Sequence, residues 1–222
     1  MKTVLITGSS RGIGAKTAEV FALNGWNVVI NYNKNKTKAD ILAGYLSQYC
    51  NVMTIQCDVS KPEEVAQMFA TIAQTFGRID VLVNNAGITK EDMLIDLSTQ
   101  DITDIITTNL LGTIICSQHA LMQFDGRGKI INISSCQGEL GASCESVYSA
   151  TKAGITAFSK SISAEYEDSD IQVYDLPLGW VDTDMTAHYT DAERIDFLQA
   201  NPNVQYQSAD EVAQQIYNLA TN

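Results

Sequence analysis

Short apolar runs alternate with longer amphipathic segments over the whole chain. The apolar runs are rich in β-branched residues and predict strands at residues 3–7, 27–31, 52–57, 81–84, 129–134 and 171–175. The amphipathic segments predict helices at residues 12–23, 37–49, 62–76, 99–124, 146–166, 191–200 and 209–220. Strands that alternate with helices predict an α/β fold, in which a parallel sheet lies between two layers of helices.

Length and composition favour one folded unit. The 222 residues are 45% hydrophobic and 18% charged, and the three prolines are scattered rather than gathered in a linker. We therefore expect residues 1–222 to form a single domain.

Charge and cysteine content exclude several classes of protein. A net charge of −12 disfavours nucleic acid and anionic membrane as partners, because like charges repel. Five cysteines without metal-type spacing argue against a disulfide framework or a metal site, and they suit a reducing compartment. The apolar stretch before the first glycine is too short for a signal sequence or a membrane span. We expect a cytoplasmic protein that needs no metal.

A glycine-rich turn follows the first predicted strand. Gly8, Gly12 and Gly14 have the spacing GxxxGxG and open a predicted helix. Glycines let the main chain turn sharply and approach a pyrophosphate, whose charge the helix N-terminus favours. The turn is a candidate dinucleotide site, although such a turn also occurs for purely steric reasons.

The end of the second predicted strand indicates which dinucleotide binds. The run Asn31, Tyr32, Asn33, Lys34 has no carboxylate that would accept from the ribose hydroxyls of NAD. Arg11 and Lys34 could reach a 2′-phosphate, and the two asparagines can donate hydrogen bonds. We expect NADP(H) rather than NAD(H); the alternative is that Lys34 is a solvated lysine on a turn.

Tyr148 and Lys152 are four residues apart in a predicted helix and therefore share one face. An ammonium beside a phenol can make that phenol a proton donor and acceptor near neutral pH. Alone the pair is a weak signal, since this spacing more often marks a solvated edge.

Several motifs together resemble the short-chain dehydrogenase/reductase family, most closely its 3-oxoacyl-[acyl-carrier-protein] reductase branch. They are the glycine turn at residues 7–14, the run at residues 84–87, Asn109, Ser135, and the pair Tyr148 and Lys152. The resemblance implies a Rossmann-type, doubly wound parallel sheet with strand order 3-2-1-4-5-6. The family's usual seventh strand is expected to be missing.

The resemblance also implies catalytic roles. Tyr148 exchanges a proton with the substrate oxygen, Ser135 holds the developing alkoxide, and Lys152 lowers the pKa of the tyrosine and bonds the nicotinamide ribose. Asn109 positions a water that links Lys152 to solvent. Open alternatives are that Ser134 is the serine, that Asn109 caps a helix, and that Tyr148 only packs at a cleft mouth.

Further cofactor contacts are implied by the same resemblance. They are Ser10, Ile13, Asp58, Val59, Asn85, Ala86, Gly87, Gly179, Val181 and Thr183, with Tyr148 and Lys152 at the nicotinamide end. Asp58 could instead cap the following helix, a role for which Ser60 competes.

One stretch departs from the family pattern. Tyr174 stands where the family has an asparagine, and Leu178 stands where it has the proline of a Pro-Gly pair. Pro177 lies one position earlier, so a different φ is fixed. We expect either that Pro177 compensates or that activity is low.

The function implied is NADPH-dependent reduction of a 3-oxoacyl thioester or related ketone. The alternatives are an alcohol or sugar dehydrogenase acting on a small substrate, and a cofactor-binding scaffold with little turnover. Acyl carrier protein is a possible partner, with Arg127 and Lys129 as docking candidates. By resemblance, the helices at 99–124 and 146–166 are expected to form a homodimer or homotetramer.

A substrate lid is expected at residues 185–202. Its apolar surface should face a wall that includes Gln137, Leu140 and Cys144.

Overall fold

A computed structural model describes residues 1–222. Its strands are β1 Thr3–Ile6, β2 Asn27–Tyr32, β3 Val52–Gln56, β4 Val81–Asn84, β5 Arg127–Ser135, β6 Asp170–Leu178, β7 Trp180–Asp182 and β8 Tyr206–Ser208. Its helices are α1 Gly12–Leu23, α2 Lys36–Leu46, α3 Pro62–Phe76, α4 Thr99–Ile106, α5 Gly112–Gln123, α6 Gln137–Leu140, α7 Ser146–Glu165, α8 Asp191–Ala200 and α9 Ala209–Thr221.

The central sheet has six parallel strands in the order β3-β2-β1-β4-β5-β6. This confirms the predicted doubly wound α/β fold and its strand order. The direction of winding reverses between β1 and β4, and a ligand crevice forms at such a switch point beyond the carboxyl ends of the strands.

Alternate residues of the strands build a core on each face of the sheet. Val4, Ile6, Val28 and Ile30 face α1, α2 and α9, whereas their neighbours Leu5 and Val29 face α3 and α5. Parallel strands buried on both faces need apolar residues at consecutive positions, which explains the unbroken apolar runs.

Local sequence sets where several helices begin. Pro62 occupies the first turn of α3, where its missing N–H costs nothing, and Glu63 and Glu64 complement the positive end of the helix. Capping boxes begin α4, α8 and α9, with Ser98, Thr190 and Ser208 as their first members.

The helix predicted at residues 99–124 is interrupted. A π-helical turn, Thr107–Leu111, separates α4 from α5 and contains the fully buried Asn109. Hydrophobic periodicity continues through such a turn, so the pattern did not reveal it.

The segment Thr99–Gln123 has the length and composition of a membrane-spanning helix. Core helices of globular proteins pass the same test, and here Ile105, Cys116 and Ala120 are buried within the protein.

A second sheet was not predicted. The short strands β7 and β8 pair in parallel, with Val181 opposite Gln207. β7 follows β6 after Gly179, whereas β8 comes after α8 and leads directly into α9.

Candidate active site

A cavity of about 880 Å³ lies at the carboxyl edge of the sheet. It extends from the end of β2, past the glycine turn, to the start of α7 and the segment after β7. Every predicted catalytic and cofactor residue lines it except Gly14 and Asn109.

The glycines of the turn let the main chain pass close to its neighbours and leave room for a ligand to approach it. Gly8 and Gly12 have φ values of 63° and 56°, a region that favours glycine. A Cβ at Gly14 would lie 2.6 Å from Asn85 Nδ2, and one at Gly8 would lie 2.9 Å from Ala86 Cα. The absence of side chains leaves the exposed main chain that a dinucleotide pyrophosphate requires, so these residues fit that group.

Thr7 ties the glycine turn to the end of β4. Its hydroxyl accepts from the main-chain N–H groups of Asn85 and Ala86 at 3.0 Å each, and its carbonyl accepts from Asn85 Nδ2 at 2.8 Å. The two main-chain walls of the cleft are therefore held together by the Thr7 hydroxyl, which sequence reasoning left without a role, and by the Asn85 amide.

Asn31 has a structural role that sequence reasoning missed. Its Oδ1 accepts from Gly8 N at 3.0 Å, and its Nδ2 donates to the carbonyl of Cys57 at 3.0 Å. The side chain is buried with both ends engaged, so the expectation that it donates to a 2′-phosphate is not met. Tyr32 is likewise buried, while Asn33 and Lys34 are exposed.

Cations converge near the end of β2. Arg11 and Lys34 line the cavity, as does Lys61, which was not predicted. Arg11 makes only a long contact of 3.7 Å with the exposed Asp184. No carboxylate occupies the end of β2 itself.

The Asp58 side chain accepts hydrogen bonds from within its own loop. Its Oδ1 accepts from the main-chain N–H and the hydroxyl of Ser60, at 3.0 and 2.7 Å. Although burial opposes the change, hydrogen bonds from Ser60 and Asn33 hold the pKa of Asp58 below its usual value. Neither Asp58 nor Ser60 caps α3, because Lys61 is the residue at that position.

Tyr148 and Ser135 meet at the inner end of the cavity. Burial raises the pKa of Tyr148 well above its ordinary value, and the carboxylate of Glu145 adds to the rise, while Ser135 lowers it in part. Ser135 Oγ also accepts from the main-chain N–H of Gln137 at 3.2 Å. The neighbouring Ser134 is only 2% exposed, and its hydroxyl has no hydrogen-bond partner.

Lys152 lies on the same face of α7, one turn after Tyr148. Its Nζ donates to the carbonyl of Ile133 at 2.7 Å and is 5.4 Å from the centre of the Tyr148 ring. Burial lowers the pKa of Lys152 to about 8, although the negative charge of Asp175 acts in the opposite direction. Burial is the largest influence on the pKa of Tyr148 and on that of Lys152. The side chains of the protein alone therefore do not produce the lowered tyrosine pKa that was expected from Lys152.

Asn109 fastens the π-helical turn to the loop after β4. Its Oδ1 accepts from Ile88 N and its Nδ2 donates to the Ile88 carbonyl, each at 2.8 Å. The same Nδ2 donates to Thr151 Oγ1 at 3.3 Å, which connects the turn to α7. Asn109 therefore bridges three elements and does not cap a helix.

The stretch that departs from the family pattern remains a regular strand. β6 pairs with β5 as far as Leu178 opposite Ser135, and the Leu178 carbonyl accepts from Cys136 N at 2.9 Å. Pro177 is tolerated because β6 is an edge strand. A Cβ at Gly179 would collide with the carbonyl of Gln205, so this glycine lets β8 approach β7. Thr183 lies opposite Gly12 across the cleft.

The predicted lid and its opposing wall are only partly as expected. Met185, Tyr189 and Phe197 line the cavity, and so does Gln137. Leu140 and Cys144 are exposed and lie outside the lining.

Sequence reasoning missed Glu145, which is only 7% exposed and lines the cavity. Its position three residues before Tyr148 was the available signal, because that spacing places both side chains on one face.

Comparisons with known proteins agree with this geometry. The family model described as short chain dehydrogenase matches residues 2–194. The chain is 38% identical to a 3-oxoacyl-[acyl-carrier-protein] reductase of Synechocystis sp., and the match covers 100% of this chain and 90% of that protein. It is 34% identical to the enzyme of the same name from Escherichia coli, with the same coverage.

Solved structures give the same result. A short chain dehydrogenase from Burkholderia cenocepacia, in complex with NADP, superimposes with a TM-score of 0.90 at 31% identity. A short-chain dehydrogenase/reductase mutant from Serratia marcescens superimposes with a TM-score of 0.91 at 26% identity. Each match covers 99% of this chain and 90% of the other.

Proposed function

The chain belongs to the short-chain dehydrogenase family, whose members are NAD(P)-dependent oxidoreductases, and we propose that it reduces a carbonyl compound with NADPH. The observation that carries the proposal is the placement of Tyr148, Ser135 and Lys152 in one cleft with the glycine turn. Tyr148 supplies a proton donor, Ser135 supplies a hydroxyl for the developing oxyanion, and Lys152 supplies a cation near the Tyr148 ring.

The chain offers a continuous set of main-chain and side-chain contacts for the cofactor. Gly8 and Gly12 would hold the pyrophosphate, with the buried Gly14 allowing the turn to pack closely behind them, and Asp58 and Val59 would hold the adenine. Asn85, Ala86 and Gly87 would pass beneath a ribose, while Gly179, Val181, Thr183 and Lys152 would hold the nicotinamide end. When bound, the reduced nicotinamide supplies the hydride.

The titration state of the two central groups suits reduction. The raised pKa of Tyr148 keeps its phenol protonated at neutral pH, which is the state that a general acid needs. With a pKa of about 8, Lys152 is mostly protonated at neutral pH and stabilises the phenolate that remains after proton transfer. Ser135 donates its hydroxyl hydrogen to the substrate oxygen as negative charge develops there.

The preference for NADP(H) rests on the charge at the end of β2. Arg11, Lys34 and Lys61 line that part of the cavity, and the strand end has no carboxylate to repel a 2′-phosphate. The Burkholderia cenocepacia relative, whose structure contains NADP, supports the assignment.

The substrate class we favour is a 3-oxoacyl thioester or a related ketone, in keeping with the names of the curated relatives. Acyl carrier protein as a partner is part of this proposal, but the docking expected at Arg127 and Lys129 is not supported, because both residues lie at the start of β5, at the edge of the sheet opposite the cavity, and Lys129 Nζ donates to the Leu219 carbonyl. A cytoplasmic location is also part of it, which the five free cysteines support. The polar wall formed by Gln137 and Glu145 favours a second candidate, an alcohol or sugar dehydrogenase acting on a small substrate. The remaining alternative is a cofactor-binding scaffold with little turnover. Such a protein would have the same cleft but would not use its catalytic residues.

The proposal is tested by replacing the proton donor. Tyr148→Phe should reduce NADPH consumption with acetoacetyl thioesters and ketones by at least about a hundredfold, because general acid catalysis contributes that much. NADPH affinity, measured by fluorescence titration, should change little. Tyr166→Phe at the end of α7 is the matched control.

Turnover by Tyr148→Phe close to that of the parent protein would refute the assigned role. Reduction of ketones but not thioesters would favour the second candidate, and tight NADPH binding without any turnover would favour the scaffold.

A further inference from the structure

Residues 183–189 form a strap that runs from one wall of the cleft to the other. Thr183 lies opposite Gly12 of the glycine turn, and His188 contacts Glu91 in the loop after β4. Between these two ends, Met185 lines the main cavity. The strap therefore spans the cleft from the glycine turn to the loop that follows β4.

A second cavity, of about 440 Å³, adjoins the first at the strap. It is lined by Arg11, residues 87–89, Glu91, Met185 and His188, and all of these except His188 also line the main cavity. The two cavities are therefore parts of one cleft, and the strap borders both of them.

One end of the strap is held by a carboxylate. His188 Nε2 is 2.8 Å from Glu91 Oε1, although the two residues are 97 positions apart in the sequence. Burial raises the pKa of Tyr189, and the neighbouring Glu91 adds to the rise, so the same carboxylate lies beside two residues of the strap. The loop that carries Glu91 is itself held to α7 by Thr89 Oγ1, which donates to Glu145 Oε1 at 2.7 Å.

The other end of the strap is held by Asp184. Its Oδ2 is 3.3 Å from Lys38 Nζ on α2 and 3.7 Å from a guanidinium nitrogen of Arg11. The hydrogen bonds between main-chain groups of the strap stay within residues 183–189. The polar contacts that fix the strap to other elements are therefore made at its two ends.

We propose that the contact between His188 and Glu91 is a latch that keeps the strap closed across the cleft and limits how fast a dinucleotide enters and leaves. The proposal rests on the dinucleotide site proposed above and adds residues that control access to it. Because the latch joins two parts of the protein and does not contact the cofactor, it slows entry and exit alike and leaves affinity nearly unchanged.

Stopped-flow fluorescence with NADPH measures both rates. His188→Ala and Glu91→Ala should each raise the association and dissociation rate constants by about two- to fivefold, the range expected for a partly exposed ion pair, while Kd changes by less than about twofold. Glu91→Ala removes a negative charge from the cleft, whereas His188→Ala does not. A rise that is common to both variants therefore cannot come from electrostatic steering of NADPH.

Two further variants serve as controls. Asp96→Ala removes an exposed carboxylate from the same loop without touching the latch, and it should leave both rates as in the parent protein. His188→Gln keeps a side-chain N–H that can donate to Glu91, so its rates should lie close to those of the parent protein.

Proteolysis without NADPH tests the latch independently of the proposed function. Chymotrypsin cleavage after Tyr189, identified by mass spectrometry, should become about two- to fivefold faster in His188→Ala and Glu91→Ala but not in Asp96→Ala. Failure of the parent protein to bind NADPH would contradict the proposed function alone. Cleavage of the two latch variants at the parent rate would overturn the latch. A higher Kd with an unchanged association rate would also overturn it, since that result indicates a cofactor contact.

Discussion

Lys152 shows how strongly the fold can alter a single residue. Its ammonium is buried and donates to the Ile133 carbonyl; burial lowers its pKa, and the negative charge of Asp175 acts in the opposite direction. Asp175 Oδ1 is itself buried without a hydrogen-bond partner. The protonation of Lys152 therefore depends on a residue that has no contact with the cavity.

The rate of carbonyl reduction should fall as the pH rises through about 8. In that range Lys152 loses the proton that stabilises the Tyr148 phenolate. The negative charge of Asp175 raises the pKa of Lys152, so Asp175→Asn should move the fall to lower pH. Profiles of kcat from pH 6 to 10 at saturating NADPH check this, with Asp170→Asn at the exposed start of β6 as control. A fall that stays in place or moves to higher pH would contradict the assignment.

Arg11 and Lys34 should determine the choice of cofactor. Removing both side chains with Arg11→Ala and Lys34→Ala should weaken NADPH binding by at least about tenfold and NADH binding much less, because only NADPH presents a 2′-phosphate. Lys36→Ala, which removes an exposed lysine paired with Asp40, serves as the control. Equal weakening of the two dinucleotides in fluorescence titrations would rule out the NADP(H) preference.

Individual residues were predictable where a local motif determines their position. The glycine spacing predicted a sharp turn of the main chain at Gly8 and Gly12. Both residues have the positive φ that glycine adopts readily. Asn31 and Glu145 could not be interpreted from the sequence, because their partners Gly8, Cys57, Thr89 and Gln137 are brought to them by tertiary packing. The effect of burial on the pKa of Tyr148 could not be predicted for the same reason, since burial is not visible in helical spacing.

Two glycines in helices differ in how much space surrounds them. A Cβ at Gly14 in α1 would lie 2.7 Å from Ser9 Cα and even closer to Asn85, whereas a Cβ at Gly44 in α2 would meet nothing within 4 Å. Gly14→Ala must therefore shift the glycine turn, and Gly44→Ala only removes the flexibility of glycine in a helix.

We expect Gly14→Ala to destabilise the protein by about 1–3 kcal/mol and to weaken NADPH binding. Gly44→Ala should stabilise it by about 0.5–1 kcal/mol and leave NADPH binding unchanged. Thermal denaturation and NADPH titration of both variants test the pair. Tolerance of alanine at position 14 would show that the turn is less closely packed than its distances indicate.

Elements were predictable where their residues lie close together in the sequence. The strands of the main sheet and α3 have clear local patterns, and their bounds differ from the predictions by few residues. The π-helical turn depends on Asn109 reaching Ile88, and β7 depends on pairing with β8 more than twenty residues later. No local pattern of hydrophobicity contains such information.

At the scale of the whole molecule, apolar side chains are exposed along α4 and α5. Ile106, Leu111 and Met122 are 42%, 38% and 71% exposed. We predict that this surface joins copies of the chain, and that light scattering will give the mass of a dimer or tetramer. Met122→Glu should lower that mass, because a buried unpaired charge disfavours association.

Ile41→Glu is the matched control for the assembly, since Ile41 on α2 is 70% exposed. It should leave the mass as in the parent protein. A monomer mass for the parent protein, or an unchanged mass for Met122→Glu, would exclude association through this surface.

The overall topology was the most predictable property. Strands that alternate with helices allow few arrangements, because crossovers between parallel strands are right-handed and packed on both faces of the sheet. The small β7-β8 sheet, the lid contacts and the hydrogen bonds of Glu145 were not predictable, since each joins segments that no rule of connectivity brings together.

Pro177 in the edge strand has a consequence for colloidal behaviour. The Leu178 main chain is directed at β5, so the adjacent nitrogen of Pro177 is on the outer side of β6, where it has no hydrogen to offer. An extended segment of a foreign polypeptide that added to this border would lack one hydrogen bond near the carboxyl end of its ladder. At high concentration Pro177 therefore disfavours fibrous growth by strand addition at that end of the border.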